Sequence, residues 1–364
     1  MHKTAAWPLA LIYAALVVYA SLYPFDGWRS VGIAPWTFLA APMPRYWTGF
    51  DVGANLLGYG PLGFLLALSA LRTSPRLPAV LLATLGGGLL SLVMESLQTY
   101  LPMRVASNVD LLLNLVGAWL GALMAFALEK AGAIARWSRF RERWFAAHSR
   151  GALVLLALWP VALLFPASVP LGLGQVLERA EDALAAWLAE TPFLQWVPVR
   201  DFELEPLLPG AELLCVMLGA LIPCLLAYSI ARSAGRRVAL AVSAIGIGVG
   251  VSALSAALSY GPSHAWAWLT LPVQFGLGTA LVVALLLVAV PRRACAALTL
   301  LALVLHLSLL NNAPIGAYFA QTLQVWEQGR FIRFHGLAQW LGWLWPYAAL
   351  VYVLLRLSGR DAEN

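Results

Sequence analysis

Charge is scarce in this sequence. Only 11% of its 364 residues are Asp, Glu, Lys or Arg, against about 25% in an ordinary soluble domain. Hydrophobic residues make up 61% and mean hydropathy is +0.79, which excludes a water-soluble globular protein and places the chain in a bilayer. Cysteine is equally sparse. Cys215, Cys224 and Cys295 all fall in apolar stretches and form no C-x-x-C pair, so they say nothing about redox compartment. Also absent are an HExxH, a P-loop and a GxGxxG followed by an acid, which removes the usual zinc, nucleotide and dinucleotide signatures. There is no repeat of about 20–50 residues, no low-complexity run and no hydrophilic domain.

What is present is a series of long apolar runs. An apolar helix of about 18 or more residues crosses roughly 30 Å of hydrocarbon. Ten such spans are expected, at residues 7–23, 51–70, 78–101, 109–128, 151–169, 210–231, 238–259, 270–290, 294–310 and 337–356. The fold class is therefore all-α and polytopic. The runs are continuously apolar rather than alternating, which argues against a β-barrel. The first run follows Lys3 and lacks a small-x-small cleavage site, so it reads as a signal anchor. With both termini cytoplasmic, 16 of the 23 Lys and Arg residues fall on the inner side, as the positive-inside rule requires. The net charge of +6 is thus a topology signal and implies no nucleic-acid partner.

Three domains are expected: a four-span unit over 1–128, a cytoplasmic linker over 129–150 and a six-span unit over 151–364. In the linker, Trp137, Phe140, Trp144 and Phe145 recur at helical spacing among Arg136, Arg139, Arg141 and Arg143. A basic amphipathic helix on the anionic inner leaflet has this pattern. On the outer side, Gln175–Glu190 carries Leu177, Ala180, Leu184, Trp187 and Leu188 on one stripe, as an interfacial helix does. Trp326, Phe331, Phe334 and Trp340 read as interface-belt aromatics, while Glu327, Arg330, Arg333 and His335 could instead form a recognition patch. Gly86, Gly87 and Gly88 interrupt the third span and suit close helix packing. His306, inside the ninth span, is a candidate proton relay, although a hydrogen-bonded structural histidine is the commoner case.

The remaining charge gathers at three helix ends in the first four spans. Asp51 and Asn55 lie one turn apart where the second span enters. Glu95 and Gln98 stand at i and i+3 where the third leaves, and Asp110 and Asn114 at i and i+4 where the fourth enters. Arg104 occupies the turn between the last two. At 1.5 Å per residue, Glu95 and Asn114 should lie roughly 7–9 Å inside the outer boundary. Asp51 and Asp110 should sit nearer water, where the positive end of the helix dipole favours a carboxylate.

The pattern E-x2-Q-x3-P-x-R-x5-D-x3-N over residues 95–114 resembles the VanZ-like membrane family. Asp51, Asn55, Pro61 and Gly63 upstream, and Ser21–Phe25 (SLYPF) at the end of the first span, belong to the same resemblance. It covers roughly residues 10–128. It implies a membrane protein related to one associated with low-level resistance to the glycopeptide teicoplanin, and it carries no catalytic assignment.

Several roles are open to the seven polar residues. They can satisfy one another, with Glu95 on Arg104 or sharing a proton with Asp110, and Gln98 and Asn114 bridging helices at around 1 kcal/mol each. They can bind an outer-leaflet component such as a lipid-linked envelope precursor or a glycopeptide, with Arg104 on phosphate or carboxylate. An enzyme acting on a lipid-linked cell-wall precursor would use Glu95 and Asp110 as acid and base. His264, His306 and His335 lie in the other half, so no Ser–His or Cys–His pair supports nucleophilic catalysis. One acid per helix is weak evidence for a metal, and no cofactor is expected. Ten spans would also suffice for a transporter. Membrane lipids are the one partner class that composition implies, and oligomeric state leaves no trace.

Overall fold

The computed structural model describes residues 6–23, 25–30, 32–43, 49–71, 76–165, 167–193, 204–260, 262–314 and 332–359. Among these residues regular structure is helical, with a single antiparallel bridge between Phe145 and Ala231. Two compact units divide the chain, Met1–Phe140 and Arg141–Asn364.

The first unit holds α1 (Ala6–Leu22), α2 (Gly49–Ala70), α3 (Arg76–Gln98) and α4 (Asn108–Lys130), and α5 (Ala133–Trp144) begins in it. The second holds α6 (Arg150–Ala162), α7 (Leu177–Leu188), α8 (Pro209–Ile230), α9 (Ala234–Tyr260), α10 (Leu271–Leu286), α11 (Arg292–Leu310) and α12 (Ile332–Ser358). Among the described residues eight helices, α2–α4 and α8–α12, are long and apolar enough to cross a membrane. The chain is accordingly an all-α, multi-pass membrane protein. The first and fifth expected spans are shorter, at 17 and 13 residues, or about 25 and 20 Å of helix. The fifth departs most. Pro160 lies in its last turn, and the Pro- and Gly-rich stretch that follows ends the helix at Ala162.

In the first unit α2 and α4 meet backbone to backbone. A Cβ on Gly63 would stand 1.9 Å from the Ala118 carbonyl oxygen, and one on Gly121 1.9 Å from that of Gly60. Gly117 faces Leu56 in the same way. Small residues four apart permit this approach, which gains van der Waals contact where lipid offers no hydrophobic drive. The helix α3 runs unbroken through Gly86–Gly88, and Gly87 and Gly88 admit Ala118 and Leu115 of α4. Its Leu81, Leu85 and Leu89 point outward while Ala83, Gly87, Ser91 and Glu95 are buried, a helical period with lipid on one face.

In the second unit α8 is the central helix, with 83% of its apolar window buried. Arg237 at the start of α9 is buried and donates to the Val288 and Val290 carbonyls at 2.7 and 2.5 Å, satisfying carbonyls at the end of α10. His306 is 1% exposed, its Nδ1 3.0 Å from the Cys215 carbonyl, which is the structural role. The linker aromatics separate. Trp137 and Phe140 stay exposed and stacked on α5. Phe145 instead leaves the helix and is buried, because its backbone pairs with Ala231 and its carbonyl accepts from Arg232 Nε. On α7, Leu177, Leu184 and Trp187 are exposed. Burial lowers the Arg179 pKa, with Glu178 opposing, and its guanidinium lies 4.9 Å from the Trp343 ring. Trp326, Glu327, Arg330 and Phe331 lie outside the described residues, as do the side chains of Arg333, Phe334 and His335.

Candidate functional site

Helix ends explain the positions of most of the polar residues. The last carbonyls of a helix have no partner within it. At the end of α1, Arg104 Nη2 donates to Tyr23 O at 2.7 Å and to Ala20 O at 3.4 Å, and Gln98 Nε2 donates to Ser21 O at 2.9 Å. Gln98 and Arg104 together therefore finish α1 from another part of the chain, and a guanidinium also suits the negative end of a helix dipole.

The start of α4 is a divided capping box. Ser107 is the N-cap, and its Oγ accepts from the Asp110 N–H at 3.3 Å. In the usual box the acid three residues on returns to the N-cap N–H. Here Asp110 Oδ1 accepts instead from Asn55 Nδ2 of α2 at 2.9 Å. The Ser107 N–H donates to Glu95 Oε2 of α3 at 2.8 Å. Glu95 is 4% exposed. It lies three residues from the end of α3, about 4.5 Å. That is shallower than expected, because α3 stops at Gln98 rather than 101. Asp51, in the first turn of α2, is exposed.

Below this rim lies a buried polar floor. Asn114, 4% exposed and about 9 Å into α4, donates from Nδ2 to Ser91 Oγ at 2.9 Å. Its Oδ1 is buried without a hydrogen-bond partner, and so is Tyr59 Oη of α2. The Tyr59 hydroxyl faces Ser91 and lies in the field of Glu95. Such unmatched buried atoms are unusual, since more than about 90% of buried polar groups are paired.

The structure thus brings Glu95, Asp110 and Asn55 together around the α4 N-terminus, puts Gln98 and Arg104 on the end of α1, and leaves Asp51 at the rim. Tyr59, Ser91 and Ser107 were missed. The signal for two of them was spacing: Tyr59 is four residues after Asn55, and Ser91 four before Glu95, each on the same helix face. Nearby, Asn108 Nδ2 donates to Ala41 O at 2.6 Å and Arg29 N to Tyr100 O at 3.0 Å. These bonds tie the α1–α2 connection to the site. Among the described residues no group of three or more His, Cys, Asp or Glu is placed to hold a metal ion. The floor offers the Asn114 Oδ1 acceptor and the Tyr59 and Ser91 hydroxyls, suited to a ligand that brings hydrogen-bond donors.

No curated protein and no solved structure matches the chain. Residues 7–129 match the VanZ/LLP1 family model, a stretch that spans nearly all of α1–α4 and every residue of the polar cluster, and the N-terminal third of this membrane protein is on that ground VanZ-like.

Proposed function

We propose that α1–α4 bind the headgroup of an outer-leaflet envelope component, in a chain that sits in a bacterial cytoplasmic (inner) membrane with both termini cytoplasmic. One observation supports this most. Tyr59 Oη and Asn114 Oδ1 stay buried without a hydrogen-bond partner on side chains that both adjoin Ser91, whereas Glu95 and Asp110 are taken up at the start of α4. An unmatched buried polar group costs about 1–3 kcal/mol, and a ligand hydroxyl or amine relieves that cost. A lipid-linked cell-wall precursor carries both groups, and altered presentation of it would change susceptibility to glycopeptides of the teicoplanin type. The excess of Lys and Arg on one side of the spans supports the orientation.

Cells expressing the wild type should tolerate more teicoplanin than cells without it. Tyr59→Phe combined with Asn114→Leu should remove the difference at normal protein levels. Unchanged tolerance in that variant would contradict the reading and leave the floor to ordered water. Purified protein incubated with the lipid-linked precursor should return it unchanged by mass spectrometry, whereas turnover would make the protein an enzyme.

A further inference from the structure

The second unit holds a cavity of about 440 Å³, within the range of small-molecule sites. It exists because the chain leaves the helical form after α6. Residues 163–165 and 167–176 are not helical, yet Leu163, Phe165, Val169, Leu171 and Leu173 are all buried. A Cβ on Gly219 of α8 would lie 2.7 Å from the Leu171 carbonyl oxygen. Gly219 is ten residues into α8, roughly 15 Å from its start. Irregular backbone at such depth is tolerated where it is buried in protein or lines a cavity, and interrupted spans are where membrane proteins commonly build ligand sites.

This segment is fastened, not loose. Ser255 Oγ donates to Leu164 O at 2.6 Å, and Asn311 Oδ1 accepts from the Val176 and Leu177 N–H groups at 3.0 and 3.1 Å. Gly174 N donates to Gly342 O at 2.8 Å, and Gly174 O accepts from Tyr347 Oη and Asn311 Nδ2 at 3.2 Å. The cavity between it and the ends of α8–α11 is mainly apolar, with Phe165, Leu171, Ala256 and Trp268 on its walls. Its polar lining is Glu212, Ser168, Ser252, Ser255 and Thr270. Glu212 stands in the first turn of α8, where the helix dipole favours a carboxylate. Among the described residues no Lys, Arg or His lines the cavity and its one formal charge is negative, and an indole ring adds a face that attracts cations.

We propose that this cavity is a binding site for a compact apolar amine, its ammonium on Glu212 and Trp268 and its body against Phe165, Leu171 and Ala256. The ammonium comes either from a soluble amine or from an ammonium-bearing lipid headgroup. The test uses the full chain in nanodiscs of phosphatidylglycerol, with calorimetric titration of 1-adamantylamine, 1-adamantanol and adamantane-1-carboxylate. The amine should bind saturably and at least about tenfold tighter than the alcohol, a difference of about 1.4 kcal/mol, and the carboxylate should not bind. Glu212→Gln should remove the amine's advantage and leave the alcohol unchanged. Ala256→Leu should abolish binding of both by filling the cavity. Trp268→Leu should weaken the amine more than the alcohol, which keeps the test decisive where Glu212→Gln accumulates poorly. Weaker amine binding when phosphatidylethanolamine is added identifies the lipid headgroup as the occupant, and an unchanged affinity identifies the soluble amine. Equal amine affinity in wild type and Glu212→Gln, or binding that survives Ala256→Leu, overturns the proposal.

Discussion

Glu95 shows how one side chain serves two ends. Its Oε2 takes the Ser107 N–H and so finishes α4, while its charge lies beside the unpartnered Tyr59 hydroxyl. Glu95→Ala leaves that N–H unmatched and should cost about 1–3 kcal/mol, read as a lower unfolding midpoint in detergent. Glu95→Gln keeps an acceptor oxygen and should stay within about 1 kcal/mol of the wild type. The floor behaves differently. Ser91→Ala with Asn114→Leu deletes a bonded pair and an orphan acceptor together, so stability should change by less than about 1 kcal/mol. A large loss measured by denaturant titration would mean that the pair is needed for folding.

At the scale of elements, the contact between α2 and α4 sets the site, because it carries Asn55 to Asp110. Two glycines of α2 separate packing from propensity. Gly63→Leu pushes a side chain into the Ala118 backbone and should cost at least about 2–3 kcal/mol, with the Asn55–Asp110 pair disrupted. Gly58→Ala meets nothing within 4 Å and should leave the unfolding midpoint nearly unchanged. The spans were legible in the sequence because lipid demands continuous apolar length, which is a local property. The capping roles were not. Gln98 and its acceptor Ser21 are 77 residues apart, and Arg104 and Tyr23 are 81 apart, so spacing along one helix carries no trace of either bond. The break after α6 had a visible sign in Pro160, Pro170, Gly172 and Gly174, which apolar length alone outweighed.

On the scale of the whole molecule, the three native cysteines are fully buried, so introduced ones report topology cleanly. Met103 is 87% exposed in the α3–α4 turn and Ala135 is exposed on α5. A membrane-impermeant maleimide should label Met103→Cys in intact cells and Ala135→Cys only after lysis, and the opposite pattern would invert the orientation. The polar cluster matters most for the account: it caps α1 and α4, yet leaves a floor that is not satisfied from within. The most direct measurement is titration of a lipid-linked cell-wall precursor into wild-type and Glu95→Gln protein in nanodiscs, with unfolding midpoints taken on the same samples. The account predicts saturable binding to the wild type and at least about tenfold weaker binding to Glu95→Gln, with nearly equal midpoints. Equal binding by the two, or none by either, would contradict it.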